Sequence, residues 1–376
     1  MKVLHVITGL DAGGAEIQLS QILKYTRHDT DVVTLYNPGP VADVIRAAGT
    51  GVHDIGMRRN TELSALPRLR SLIAAGRYDV VHTHLFRSQI YARPAARLAG
   101  TPVVLTTEHS IGETHIERRK MTPAVRGLYL ASEMFSDATI AVSDIVRQRL
   151  IRWGVPARKI TVIPNGLDVR ELAFDPAARQ RVREQFGISP GTFVIGALGR
   201  LDPNKRIDLV VEAALPLLGE RCKILVIGRG EDHARIQAAV DRLGAGDHVI
   251  FGGFQADTAA MMASFDLYVA ASVQETFGLS VLEAMASGLP VLYTVCPALD
   301  GIQTSQGRQV AGTAEALRAE IGKAVEAGPL PRTLDRAVFD QYGMEPVVGK
   351  IDDLYERLLA NRRRSARRRQ RWRNPE

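Results

Sequence analysis

Short apolar runs rich in Val, Ile and Leu alternate along this chain with longer amphipathic stretches. Strands that read as continuous apolar segments are buried on both faces, and parallel neighbours need a helix-length crossover, so the chain is confined to parallel sheets covered by helices. The series occurs twice. Strands are predicted at 2–8, 31–36, 78–83, 102–107, 138–142 and 160–163, then at 193–198, 223–227, 248–251, 266–270 and 290–293. Between the series lies the turn-rich Pro164-Asn-Gly-Leu-Asp168, followed by a polar segment containing Pro176. A length of 376 residues exceeds what one core usually serves. We therefore expect an α/β chain of two Rossmann-like domains, 1–170 and 171–345, then a terminal helix at 346–361 and a disordered basic tail at 362–376. Ligands bind outside the carboxyl ends of strands in such sheets, which places the expected site in the cleft between the domains.

The formal charge of +7 belongs to the tail, where eight arginines between Arg362 and Arg373, less the one acid Glu376, account for all of it. A neutral body offers no groove-lining surface for nucleic acid, so no nucleic-acid partner is expected. Arginines interleaved with Trp372 make an anionic membrane face one candidate partner and a solvated end the other. Cys222 and Cys296 sit in apolar surroundings and do not suggest a disulfide framework. With no secretory pattern at the start and no apolar run of spanning length, the expected location is cytoplasmic, with the inner membrane face as a peripheral alternative.

The chemistry-bearing residues gather at predicted strand ends. Glu275-Thr-Phe-Gly-Leu-Ser-Val-Leu-Glu283 follows the strand that begins at Asp266 and opens a helix at Leu279. The turn Phe277-Gly278 offers backbone amides at a helix start, suited to anions, while Glu275 and Glu283 can accept bonds from sugar hydroxyls. Spacing alone decides little, because Glu212 and Glu220 repeat it within a plain helix pattern. Gly199-Arg200-Leu-Asp-Pro-Asn-Lys205 places two cations at another strand end, with a helix expected from near Asn204. Arg200 can fork onto phosphate and Lys205 can act as a point charge, so a departing diphosphate could be stabilised without a metal. Surface solvation and helix capping are the plain alternative. Gly228 ends the next strand in a form suited to close ligand approach.

In the first domain, Gly13 and Gly14 open a helix after the first strand. The G-x-G-x-x-G spacing and the ribose-binding acid of a dinucleotide fold are missing there, which argues against a nicotinamide dehydrogenase. His82 and His84 lie at one strand end and His109 follows another, with His109 the preferred site member. Zinc at His82 and His84 lacks a third residue with ligand-like spacing, so no metal site is expected. Asp29-Thr-Asp31 stands before a strand, at the wrong end for a site, and reads as surface acids.

Taken in order, Gly13-Gly-Ala-Glu16, Pro164 to Asp168, Gly199-Arg200 with Lys205, Gly228-Arg-Gly230, Gly252-Gly-Phe254 and Glu275 to Glu283 resemble the retaining glycosyltransferase family 4, with its GT-B architecture. The resemblance spans most of the chain. It implies a nucleotide-sugar donor held mainly by the second domain, with Glu275 at the sugar hydroxyls and Glu283 at the ribose. Arg200, Lys205 and the amides of Phe277, Gly278 and Leu279 would hold the diphosphate, and Gly252 to Phe254 would lie near the base. Gly13 and Gly14 would form the phosphate loop of the first domain and His109 would lie near the sugar; His84 is a further candidate for substrate binding. Transfer with retention, assisted by the leaving diphosphate and without a cofactor, is what the resemblance implies. A glycosidase pair of flanking carboxyls is not needed. The opening resembles enzymes of cell-envelope polysaccharide assembly, which implies a uridine diphosphate sugar donor and a glycan or lipid-linked saccharide acceptor. A natural-product enzyme with a small soluble acceptor and a non-catalytic binding subunit are the alternatives. From Leu292 to about residue 310 the chain departs from the family pattern, and no contacts carry over there.

Overall fold

The computed structural model describes residues 1–11, 13–59, 61–117 and 119–373. It divides into two units, Met1–Gly166 joined by the chain from Met344 onward, and Leu167–Gly343. In the first unit β1 (Lys2–Ile7), β2 (Asp29–Thr34), β3 (Gly51–Asp54), β4 (Val80–His84) and β5 (Val103–Glu108) precede a small antiparallel hairpin of β6 (His115–Ile116) and β7 (Arg119–Lys120); β8 (Ala138–Ala141) and β9 (Ile160–Val162) follow. The large sheet is parallel, in the order β3-β2-β1-β4-β5-β8-β9. The register sets His5 opposite His82 and Ile7 opposite His84. Strand β3 has no counterpart among the predicted strands because it is an edge strand, mostly exposed, with Val52 its one aliphatic residue. Asp29 and Asp31 belong to β2 itself, where Asp31 accepts from the Tyr78 hydroxyl at 2.8 Å and pairs with Lys2 at 3.4 Å. Asp31 is thus a structural residue at the amino end of a strand, while Asp29 is exposed, as a surface acid would be.

The second unit holds β10 (Phe193–Leu198), β11 (Cys222–Ile227), β12 (Val249–Gly253), β13 (Leu267–Ala270), β14 (Val291–Tyr293) and β15 (Gly307–Gln309), all parallel in the order β12-β11-β10-β13-β14-β15. Ile195, Ala197, Ile224, Val226, Leu267 and Val269 point into one core with the helix Ile207–Ala214 and the helix Ala314–Ala327. At the amino edge of this sheet Asp266 is nearly inaccessible and accepts from Arg179 Nη2 and Arg183 Nη2, each at 2.6 Å, and from the Val194 amide at 2.8 Å. Three donors on one carboxylate tie the helix Pro176–Gln185 to the start of the sheet. Cys222 and Cys296 are both free and buried.

The last helix revises the expected ends of the chain. It runs from Met344 to Arg373 and packs on the first unit, with Val347, Val348, Ile351, Leu354, Tyr355 and Leu359 against Val3, Val80, Val103 and Ile140. The apolar positions recur three and four residues apart, which puts them on one helix face. Residues 362–373, expected as a disordered tail, continue that helix. Arginine and alanine favour helix and no glycine or proline intervenes before Pro375. Arg362 pairs with Asp137, and Arg363 lies 3.8 Å from Asp79, so the continuation starts from a fixed base.

Candidate functional site

Across the carboxyl edge of the second sheet, the ends of β12, β11, β10 and β13 bring Gly252 to Phe254, Gly228, Arg200 with Lys205, and Glu275 into one row. Backbone packing explains the glycines. A Cβ on Gly228, at φ +140°, would stand 1.8 Å from the Gly199 carbonyl oxygen, and one on Gly230 would stand 1.9 Å from that of Leu201. No side chain fits where these two loops cross, so the backbone itself lines this part of the edge. Phe254 is 39% exposed beside them.

The stretch after β10 departs from the expected helix at Asn204: Pro203–Lys205 is a 3-10 turn, and the α-helix starts at Ile207 after Arg206 in the left-handed region. The turn is pinned to the loop before Glu275. Asn204 donates from Nδ2 to the Gln274 carbonyl at 2.9 Å, while its Oδ1 and carbonyl accept from the Gln274 and Val273 amides at 3.0 and 2.9 Å. This zipper sets Lys205 Nζ 2.7 Å from Glu275 Oε1. Sequence reasoning passed over Asn204. Its signal was the polar residue between Pro203 and Lys205, whose spatial partner could not be seen.

The pair is only partly accessible to solvent, at 23% and 18% of the two side chains, so the charges act on one another at less than full screening. Burial alone would lower the Lys205 ammonium, but Glu275 foremost, with Tyr268 and Asp202, outweighs it and holds the ammonium above its ordinary value. Tyr268 lies beneath, its hydroxyl donating to the Leu198 carbonyl at 3.0 Å. Arg200 is exposed and pairs with Asp202 at 3.0 Å. Lys205 is therefore fixed in place, whereas Arg200 extends into solvent from the same loop.

Gly278 caps the helix Leu279–Ala286 at φ +97°, and a Cβ there would meet Cys296 Sγ at 2.5 Å. The Phe277 ring is buried edge-on against Tyr342, 5.4 Å between centroids, so Phe277 contributes backbone and not ring to the surface. First-turn amides of such a helix have no acceptor within it and suit an anion. The Cys296–Leu299 turn, in the stretch that departs from the family pattern, packs beneath: the Ala298 amide donates to the Phe277 carbonyl at 2.9 Å. Glu283 sits one turn along the helix, half-buried, and burial pushes its carboxyl up to about 7 against the opposing pull of Lys205. In the folded unit Glu283 thus keeps its proton to higher pH than in the unfolded chain. Its contribution to stability is full below the ordinary glutamate range and is lost as pH rises toward about 7.

In the first unit, the adjacent ends of β1, β4 and β5 carry Gly13 with Gly14, His84 and His109. Gly13 caps the helix Gly14–Tyr25 with its amide on the Asp11 carbonyl at 2.9 Å. His84 is fully buried and bonds His109 through Nδ1 to Nε2 at 3.2 Å and His5 through Nε2 to Nδ1 at 3.1 Å. His5 was not singled out in the sequence, since a histidine inside a strand is ordinarily a core residue. The ligating atoms of His5, His82 and His84 lie within 4.8 Å of one another, the third member that zinc had lacked. His82, however, uses both ring nitrogens on the Tyr355 hydroxyl at 2.6 Å and Thr107 Oγ1 at 2.7 Å. His84 likewise spends both nitrogens on His5 and His109, so two of the three rings have no lone pair left over for an ion in this arrangement. Beneath His109, Glu108 is buried on Tyr129 and Gln89 at 3.2 and 3.3 Å, which fixes the end of β5.

Comparison with known proteins adds what geometry leaves open. Residues 12–171 match the family model described as Glycosyltransferase Family 4, and residues 178–339 the one described as Glycosyl transferases group 1. The chain is 26% identical over 307 residues to the UDP-Gal:alpha-D-GlcNAc-diphosphoundecaprenol alpha-1,3-galactosyltransferase of Escherichia coli, covering 78% of this chain and 79% of that protein. It is 27% identical over 342 residues to the 2-deoxystreptamine glucosyltransferase of Streptomyces kanamyceticus, covering 85% and 87%. Its fold is similar to that of Anabaena Alr3699/HepE in complex with UDP and glucose, with a TM-score of 0.83 at 22% identity over 95% of this chain and 99% of that one.

Proposed function

This chain belongs to glycosyltransferase family 4 and is a glycosyltransferase that uses nucleotide-sugar donors, and on that premise we propose that the donor is a uridine diphosphate sugar held on the second unit. The observation that carries the reading is the 2.7 Å Lys205–Glu275 pair beside the Gly278 helix start. Lys205, Arg200 and the helix amides offset the charge of the leaving diphosphate, Glu275 accepts from the transferred sugar, and Glu283 accepts from the ribose. No metal is required in this reading, because charge developing on the leaving group meets fixed cations and N–H donors. On the first unit, Gly13 and Gly14 border the substrate and His109 contacts the sugar, whereas His84, expected to bind substrate, is fully buried behind His109 with both ring nitrogens engaged.

The purified chain, given a panel of nucleotide sugars without acceptor, is expected to hydrolyse a uridine diphosphate sugar slowly and at an unchanged rate in a chelator. If no member of the panel is bound or hydrolysed, the donor assignment fails. The ribose contact makes a separate prediction. Binding should draw the Glu283 carboxyl into its ionised form, so calorimetric affinity for uridine diphosphate rises between about pH 6 and about pH 8 with proton release, and Glu283→Gln flattens the profile.

For the acceptor, the proposal is a lipid-linked saccharide in cell-envelope polysaccharide assembly, with an acceptor-side relative of that kind in support. A small soluble acceptor is the second reading, supported by the 2-deoxystreptamine enzyme. The basic helix favours a peripheral membrane location: it leaves from Asp137, where Met134 and Phe135 are 78% and 41% exposed, and Arg97 binds the Phe135 carbonyl at 2.7 Å. Each arginine near an anionic surface contributes about 1 kcal/mol. Asp79 and Asp137 precede β4 and β8, so this base lies at the pole of the first unit opposite the strand carboxyl ends. The helix therefore acts as a tether and leaves recognition of the acceptor to the other pole. Removal of residues 362–376 is expected to abolish flotation with anionic vesicles while transfer to a soluble acceptor persists. Retained flotation sinks the tether.

A further inference from the structure

Four histidines of the first unit pack ring against ring, and three of them form a line. His5 and His84 rings lie 5.3 Å apart at 24°, and His84 and His109 rings 5.5 Å apart at 29°. Two nitrogen-to-nitrogen contacts of 3.1 and 3.2 Å join them in the order His5 Nδ1, His84 Nε2, His84 Nδ1, His109 Nε2. His82, although its ring centroid is 4.2 Å from that of His84, stands outside the line because Tyr355 and Thr107 take its nitrogens. We propose that His5 and His84 are positioning residues which, through these two ring-to-ring hydrogen bonds, fix the tautomer of His109, whose Nδ1 is buried at the carboxyl end of β5.

The argument is one of proton counting. Burial pushes His5 down to about 3 and His109 to about 4, and holds His84 well below the ordinary range, so all three rings are neutral near pH 7. A neutral imidazole has one N–H and one lone pair. His84, using both nitrogens, must donate on one side and accept on the other, and the line runs head to tail in one of two senses. If His5 Nδ1–H donates to His84 Nε2, then His84 Nδ1–H donates to His109 Nε2, and His109 carries its own proton on Nδ1. If His109 Nε2–H donates to His84 Nδ1, then His84 Nε2–H donates to His5 Nδ1, and His109 Nδ1 is an acceptor. The tautomer of His5, which does not touch His109, is therefore coupled through His84 to whether His109 Nδ1 gives or receives a hydrogen bond. Outer partners commonly set imidazole tautomers in this way.

This inference rests on the reading that His109 contacts substrate, but its first test needs none. In protein labelled with nitrogen-15, scalar couplings across both ring-to-ring bonds are expected in the wild type, with His109 in a single tautomer. In His5→Asn and in His84→Asn the nitrogen shifts of His109 should change to those of mixed tautomers. Transfer should lose about tenfold in kcat with KM for the nucleotide sugar within about twofold. Absence of the couplings in the wild type overturns the proposal without recourse to any variant, and so does an unchanged His109 tautomer in both variants. Zinc added at one equivalent is expected to leave these resonances in place; if it moves His5, His82 and His84 together, the trio is an ion site and the line is not. Failure of the nucleotide-sugar panel would remove the assigned function while the ring couplings still decided the line.

Discussion

Glu275→Gln is expected to lower sugar transfer on the order of 100-fold, with the circular dichroism spectrum and uridine diphosphate binding retained. Glutamine keeps the shape of the side chain and its acceptor oxygen but removes the charge that faces Lys205 Nζ at 2.7 Å. Two consequences combine. On the proposed reading the sugar hydroxyls would lose a charged acceptor, and the ammonium loses the partner that fixes its position on the 3-10 turn. A double-mutant cycle with Lys205→Met separates these effects. If the two residues act as one unit, the double variant is little worse than either single one, because the groups of such a unit are not additive. Additive losses would mean that Lys205 and Glu275 serve different parts of the substrate, and an unchanged rate in Glu275→Gln would remove Glu275 from the site.

Asp266→Ala is expected to destabilise the second unit by about 3–5 kcal/mol, measured by urea unfolding followed on that unit. The carboxylate is nearly inaccessible and takes two guanidinium donors and one amide. Its loss strands Arg183, which is 5% exposed, among the carbonyls of Ser264 and Thr192 without a counter-charge. Asp266→Asn keeps two acceptor or donor positions and should cost less. Asp266 stands at the amino edge of the sheet, so the folded fraction of the alanine variant should transfer sugar at the wild-type rate. A loss of specific activity in the folded fraction, or a change under about 1 kcal/mol, would show that the arginines find other partners. The contrast with Glu275 is informative, since the two carboxylates flank the same strand and act at opposite ends of it.

Where periodicity decides, the chain was legible. Strands β1, β4, β5, β8, β10, β11 and β13 fall within a residue or two of the apolar runs, because strands covered on both faces have no polar residue to confuse the pattern. The edge strands β3 and β15 were not, since each is short and mostly exposed, with the polar pairs His53-Asp54 and Arg308-Gln309 in solvent instead of an apolar run. Helix starts at Gly14 and Leu279 were readable from glycines placed after strands, whereas the 3-10 turn at Lys205 was not, because Asn204 is held by residues seventy positions away.

The sequence by itself determined two parallel sheets, their approximate strands and the kinds of residue at the carboxyl edges, because the burial of a strand and the conformational freedom of a glycine are local properties. Tertiary structure decided the partnerships. It returned the last helix to the first unit, where an apolar face shared among Val347, Ile351 and Tyr355 closes over β1, β4 and β5. It brought Lys205 onto Glu275, buried Asp266 under two arginines, and set His5 in line with His84 and His109. Charges and rings so far apart in the chain meet only through the register of strands and the packing of loops, which no stretch of sequence carries alone.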